Sequence, residues 1–403
     1  MVDEPENKAL CAAPFAALSI ATDGAVSPCC EFRGQIGSLA DNSLREIWDG
    51  TAMHKLRGAM LSGEKPEECW KCWQQEDLNG KSLRHSMNTR FGASLPVKPA
   101  KKTPPPAAPK YLDIRFSNLC NYKCRTCHHG ASSKWFSDAK ALKQNIGKKA
   151  LLSSFGDTDT AQTQFEDIGD QVTDLYFAGG EPLLEKQHFE LLRYLIAEKR
   201  THIRLTYNTN LSTLDFEGSD ILNLWQSFDY LCVEASIDAI GEAGALIRSG
   251  FEWPAFKANL DRLRHACPNI YLHIGVTVSV LNILRLPELH RAMVDECGIE
   301  PESIYFHAVQ MPRYYDIAIL PQDIKEQAMV KLGAYIADLQ ANNRSSHVAR
   351  QLSQILQRLS GEADSCSESI DLVNKFREVT TKLDALRDES TFDVLPELGS
   401  LLK

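Results

Sequence analysis

The sequence predicts an α/β protein. A partial (β/α)6 TIM-like barrel is expected over residues 110–312, preceded by a small cysteine-rich domain at 1–91 and a Pro/Lys-rich linker at 92–109, and followed by a helical C-terminal region at 313–403. Three observations carry this. Between Lys110 and Pro312, six apolar strand-like runs alternate with amphipathic helical patterns, the arrangement that folds as parallel strands covered by helices. Five of the 12 cysteines fall before residue 92, too many for ordinary core packing. Beyond Pro321 the periodicity turns helical and polar, with Ile324, Met329, Leu332 and Ile336, then Leu352, Ile355 and Leu359, then Leu372, Phe376 and Leu383 on apolar faces.

Composition bounds the function. A chain of 403 residues exceeds a typical single domain. With 43% hydrophobic and 24% charged residues it has the make-up of a soluble globular protein. A net charge of -9 gives no general attraction to phosphate backbones, so no nucleic-acid partner is expected. The acidic start Met1-Val2-Asp3-Glu4 is unlike a signal peptide. No run of 18 apolar residues occurs, so no membrane span is expected either. The cysteines are then expected in a reducing cytoplasm, as metal ligands or core residues.

In chain order, Leu18-Ser19-Ile20 alternates as a strand, Asp23-Gly24 reads as a hairpin turn and Ala25 to Cys29 as the returning strand. Ser43 to Glu46 has capping-box spacing ahead of Ile47, Trp48, Leu56 and Met60 on a helical period. This helix returns the chain to Cys69-Trp70-Lys71-Cys72. Cys11, either Cys29 or Cys30, Cys69 and Cys72 make a closed four-thiol site for zinc or for an iron-sulfur cluster. The linker holds Pro96, Pro99, Pro104, Pro105, Pro106 and Pro109, a composition that favours extended chain.

The barrel strands are expected at Tyr111–Ser117, Asp174–Ala178, Ile203–Asn208, Leu231–Ile237, Tyr271–Val280 and Ser303–Val309. Sites in such folds gather at the carboxyl ends of strands. After the first strand comes Cys120-x3-Cys124-x2-Cys127, three thiols that face one point only if the backbone loops around a compact cofactor. Zinc usually draws four ligands from two separated pairs, whereas three close thiolates fit a cubic cluster with one iron open. After the second strand comes Gly179-Gly180-Glu181-Pro182, whose glycines permit close backbone approach. Cys232, Cys267, Cys297 and Cys366 fit no ligand spacing and are expected to be inert.

The C-x3-C-x2-C spacing together with the Gly-Gly-Glu-Pro motif resembles the radical S-adenosylmethionine (SAM) superfamily. The resemblance implies that Cys120, Cys124 and Cys127 hold a 4Fe-4S cluster whose open iron chelates SAM. It implies further that Gly179, Gly180, Glu181 and Pro182 receive the SAM amino group. Ser236-Ile237-Asp238 matches the family's Ser-x-Asp signature. Ser236 and Arg248, the latter expected near a helix start, are assigned to the methionine carboxylate. Asn210, in Thr209-Asn210 where the family has a Thr-Asn-Gly turn, is expected either at the SAM ribose or substrate or in an Asx turn. Asn282 is a further ribose candidate, and Tyr122 frames the adenine. Likewise, the order Cys11, Gly24-x-Val26-x-Pro28-Cys29, Glu46-Ile47-Trp48 and Cys69-x2-Cys72 resembles the SPASM/twitch module of such enzymes, which binds auxiliary 4Fe-4S clusters. Five cysteines imply one cluster, a twitch-like count. The choice of Cys29 as its ligand, with Cys30 as the alternative, rests on this resemblance, because Cys29 follows Pro28 as in the family pattern. The module here precedes the barrel instead of following it.

The implied reaction is reductive cleavage of SAM to a 5'-deoxyadenosyl radical that abstracts hydrogen from substrate, with a donor such as flavodoxin or ferredoxin supplying the electron. A peptide or protein side chain is the expected substrate and a small-molecule metabolite the alternative. A non-catalytic metal-binding scaffold is the reading from a different class.

Overall fold

The computed structural model describes residues 7–77, 80–95, 106–157, 160–342, 345–360 and 366–402. Most of the expected linker, residues 96–105, and the side chain of Cys366 lie outside the described residues. The chain forms two compact units, residues 1–119, 151–207 and 223–231 in one and 120–150, 208–222 and 232–403 in the other.

In the first unit, strands run side by side in the order Arg204–Thr209, Asp174–Phe177, Tyr111–Ile114, Ala17–Ile20, Ala25–Ser27 and Gly37–Ser38. The first four are parallel; the last two return antiparallel. The expected hairpin forms, with Ser19 opposite Ser27 and Gly24 at φ +84° in its turn. Its first strand also pairs in parallel with the first barrel strand, Ala17 opposite Tyr111 and Ile20 opposite Ile114. All four of its residues are buried, which suits a strand covered on both faces. Leu18, Leu112, Leu175 and Leu205 stand in register and are buried. The capping box forms at Ser43 and Glu46, but the helix it starts ends at Trp48, and a second runs Thr51–Leu61. Trp48 Nε1 donates to the Pro106 carbonyl at 2.8 Å and Arg45 to that of Ala107 at 2.6 Å, tying the described end of the linker to this helix.

In the second unit, Leu231–Ser236, Tyr271–Val278 and Ile304–Ala308 are parallel neighbours in that order. The helix Ser346–Ser360 covers the edge strand. Its Gln351 amide accepts from Phe306 N at 2.9 Å and donates to Ile304 O at 3.0 Å, so a side chain pairs the edge where a further strand would. The C-terminal region is helical as expected, over Gln322–Ala341, Ser346–Ser360 and Cys366–Arg387. Among the described residues no helix is long and apolar enough to cross a membrane.

Candidate metal centres

The three-cysteine loop is shaped by its neighbours in the second unit. The two-residue strand Lys123–Cys124 pairs antiparallel with Arg248–Ser249, setting Arg248 opposite Cys124. Arg125 N donates to Ile247 O at 2.7 Å, and a turn closes from Cys127 N to Cys124 O at 3.0 Å. From behind, Ser132 Oγ donates to Tyr122 O at 2.6 Å and Trp135 Nε1 to Cys124 O at 2.9 Å. Cys120, Cys124 and Cys127 are all partly exposed. Burial pushes the Cys127 thiol up to about 12, with Cys124 adding to the rise. Burial also raises Cys124, against the pull of Arg248.

Donors reach two of the sulfurs. Tyr122 N donates to Cys120 Sγ at 3.5 Å, and Asn210 Nδ2 approaches the same sulfur at 3.9 Å. Asn210 also donates to Asn121 Oδ1 at 2.9 Å, and its own Oδ1 accepts from Ser212 N at 2.9 Å, so the Asx turn forms. Leu211, standing where the family pattern has glycine, keeps the left-handed backbone at φ +51°. That conformation costs a non-glycine residue roughly 1–2 kcal/mol. It is held by Leu211 N donating to Thr209 Oγ1 and by Leu211 O accepting from Asn259, both at 3.0 Å.

Arg248 Nη1 lies 4.0 Å from Cys124 Sγ while its Nε donates to Asp238 Oδ2 at 2.8 Å. Burial opposes the guanidinium's charge, but Asp238 and Cys124 outweigh it and hold Arg248 more firmly protonated than usual. Arg248 sits at the C-cap of the helix Gly241–Ile247, not near a helix start as its sequence position implied. Asp238 is buried and its Oδ1 accepts from Thr277 N at 2.8 Å. Ser236 ends its strand, half-buried, two residues before. Asn282 is fully buried: its amide donates to Asp238 O and Thr277 O, both at 2.9 Å, and accepts from Ser279 N at 2.8 Å. Those bonds use both of its donor hydrogens, so its amide holds the loop and has none left to donate to a ribose.

The Gly-Gly-Glu-Pro segment belongs to the first unit, where it packs on residues 115–119. Gly180 N donates to Ser117 O at 3.0 Å and Glu181 N to Leu119 O at 2.6 Å. Gly179 adopts φ +115°, and a Cβ on Gly180 would stand 2.1 Å from Leu119 O. Both positions therefore demand glycine. Glu181 is buried and caps the 3-10 turn that Pro182 begins, accepting from Leu183 N at 3.1 Å.

The other cysteine group lies in the first unit. Cys11, Cys29, Cys69 and Cys72 line one apolar cavity with Phe32 and Met87. Asn88 holds the segment around Cys11, accepting from Ala12 N at 2.7 Å and donating to Leu10 O at 3.0 Å. Burial pushes Cys11 up to about 12, and Cys72 adds to the rise. Cys69 is likewise raised to about 12 by burial, then by Cys11 and Cys72. Burial also raises Cys29, with Cys11 and Cys69 among the neighbours that add to it. Cys30 stands outside this cavity, exposed and in the electrostatic field of Asp113 and Arg115. The doublet is thus divided by the hairpin. Among the described residues no three His, Cys, Asp or Glu side chains are poised to share a single metal ion.

Sequence reasoning passed over Arg125 and Arg387, which tie the cysteine loop to the C-terminal helical region. Arg125 stands between two of the cysteines, but nothing in their spacing points to a partner 259 residues away.

Comparison with known proteins gives a match over residues 11–73 to the SPASM iron-sulfur cluster-binding domain. Among solved structures, native anSMEcpe with bound AdoMet and a Cp18Cys peptide is 16% identical with a TM-score of 0.39, covering 57% of this chain and 60% of that one. Streptococcus suis SuiB bound to S-adenosylmethionine is 17% identical with a TM-score of 0.36, covering 58% of this chain and 46% of that one. SuiB bound to its precursor peptide SuiA is 13% identical with a TM-score of 0.36, covering 70% and 63%. The chain therefore spans less than two thirds of each of these. The cavity that holds Cys11, Cys29, Cys69 and Cys72 is where the matched iron-sulfur domain lies.

Proposed function

We propose that this protein is a radical SAM enzyme that abstracts a hydrogen atom from a peptide or protein side chain. The observation that carries the reading is the loop Cys120 to Cys127: it presents three partly exposed thiols and no fourth, with Arg248 and Asn210 set against two of the sulfurs. A cubic cluster held so has one iron available to a small ligand, and when bound with SAM it supplies reductive cleavage to a 5'-deoxyadenosyl radical.

The chain's own residues do the rest. Cys120, Cys124 and Cys127 hold the metal. Donors beside their sulfurs favour the more negative, reduced state. Gly179, Gly180, Glu181 and Pro182 offer acceptors to the SAM amino group, and Ser236 and Arg248 offer donors to its carboxylate. Asp238 holds Arg248 in place, and Tyr122 frames the adenine.

Cys11, Cys29, Cys69 and Cys72 would hold a second cluster through all four irons, a ligand set that suits electron transfer. Hydrogen abstraction followed by transfer of one electron to a cluster in that cavity would leave an oxidised or cross-linked side chain, the product expected of a peptide substrate. A flavodoxin or ferredoxin is the class of protein that would supply the starting electron.

Anaerobically purified protein should be brown and carry about eight irons per chain, as two four-iron clusters require. Dithionite and SAM should yield 5'-deoxyadenosine. Zinc in place of iron would favour a scaffold, and intact SAM beside a full iron complement would rule out this activity. Deuterium moving from a labelled metabolite, but from no peptide, into the nucleoside would shift the substrate class.

A further inference from the structure

The C-terminal helical region reaches back to the cysteine loop through two buried arginines. Arg125, the residue after Cys124, has no exposed side-chain surface. Its Nη2 donates to Asp384 Oδ1 at 2.5 Å and Glu389 Oε2 at 2.6 Å, and its Nε to Leu246 O at 3.2 Å. Asp384 is itself held, accepting from Thr391 N at 2.9 Å and Thr391 Oγ1 at 2.8 Å. Arg387 is 1% exposed; its Nε donates to Asp138 Oδ2 at 2.9 Å and its Nη1 to Lys123 O at 2.8 Å. Its guanidinium lies 4.9 Å from the ring centre of Trp135, whose indole N–H binds the Cys124 carbonyl. Val379 and Leu383 of the same helix pack with Trp135, and Cys127 lies against that cluster.

From these contacts we propose that the segment Phe376 to Thr391 is a clamp that sets the spacing of the three cysteines, with Arg125 and Arg387 as its positioning residues. This rests on the reading of the loop as a cluster site given above. A guanidinium is costly to bury and is kept there only by well-placed partners. Two carboxylates hold the Cys124–Cys127 turn through Arg125, and Arg387 holds the strand before it. Three ligands constrain a cluster less than four, so this site depends more on a loop already in shape than the four-cysteine cavity does.

The second iron site provides an internal control. In the full chain, Asp384→Asn combined with Glu389→Gln leaves Arg125 in place without its counter-charges. After anaerobic reconstitution with iron and sulfide, iron should fall from about eight to about four per chain. The change that SAM produces in the reduced protein's electron paramagnetic resonance spectrum should vanish, while circular dichroism stays that of wild type. Arg125→Ala should behave the same way, and Arg125→Lys, which keeps a charge for both carboxylates, should recover part of the iron.

Retention of both clusters with an unaltered SAM response overturns the clamp. So does loss of all iron together with the native dichroism, which would make the segment a general prop of the fold. A wild-type spectrum that ignores SAM overturns the site reading and the clamp with it, whereas a SAM response that survives in the variants overturns the clamp alone.

Discussion

The two cysteine groups of this chain share an element and little else. The four thiols of the N-terminal module line an apolar cavity bordered by Phe32 and Met87, and after burial Cys11 is the neighbour that most raises both Cys29 and Cys69. The three thiols of the loop sit among hydrogen-bond donors and cations, with Arg248 beside Cys124 and Asn210 beside Cys120. An apolar, fully ligated site protects and carries electrons. A three-ligand site with donors at its sulfurs is built to be reduced and to bind something more. Ligand number and surroundings thus point the same way, which is why we propose the catalytic role for the loop.

The sharpest way to break that contrast is to remove one thiol from each group. Cys124→Ala should abolish 5'-deoxyadenosine formation and take about four irons with it, whereas Cys72→Ala should take the other four irons. Both are read by iron assay and by nucleoside chromatography. Nucleoside formation that survives Cys124→Ala would overturn the assignment. The next largest effect is expected at Gly180→Ala, whose Cβ would meet a backbone oxygen at 2.1 Å. Overpacking of this kind costs ~1–3 kcal/mol, visible in denaturant midpoints along with weaker SAM binding. Gly58, an exposed position of the helix Thr51–Leu61, has nothing within 4 Å of where a Cβ would stand. There alanine should stabilise by roughly 0.5–1 kcal/mol.

Elements with local causes were legible in the sequence. The six barrel strands, the Asp23-Gly24 hairpin and the capping box at Ser43 each follow from a few consecutive residues. The turn from Cys124 to Cys127 also has a local cause, a single backbone bond from Cys127 N to Cys124 O. The neighbour of a strand is not written in its own residues. Alternation at Leu18 to Ile20 marks a strand, but its parallel pairing with Tyr111–Ile114 depends on where the chain returns 94 residues later, as the Ser19 to Asp113 bond shows. Partners of buried charge were hidden for the same reason. Asp384 and Glu389 look like solvated helix-end acids until Arg125 is found between them. Asn282 looked available because a sequence shows amide groups and not the carbonyls that occupy them.

Acid tests the two units side by side. Each buries a histidine against a tyrosine hydroxyl, His188 with Tyr207 at 2.8 Å and His290 with Tyr335 at 2.6 Å. Burial lowers His188 to about 3 and His290 to about 4. Both stay neutral in the folded chain while the unfolded chain takes up protons below its usual value of about 6.5. Stability contributed by each is therefore full above that value and is lost as the pH falls toward the folded one. The loss is about 2 kcal/mol by pH 5 for each histidine. Denaturant titrations at pH 7 and pH 5 should show it, and His188→Gln or His290→Gln should each remove one share. Equal pH dependence in wild type and variants would mean that the histidines are not the cause.

A last pair of variants separates two adjacent thiols. Cys29 lines the cavity with Cys11, Cys69 and Cys72, whereas Cys30 is exposed and faces Asp113 and Arg115. Serine keeps the size of a thiol but is a poor ligand for iron. Cys30→Ser should therefore leave the iron content unchanged and shift stability by no more than about 0.5 kcal/mol, as expected of an exposed position. Cys29→Ser should lose about four irons per chain. If iron instead departs with Cys30 and stays with Cys29, the hairpin turns the other sulfur inward and the four-thiol cavity has been assigned to the wrong member of the pair.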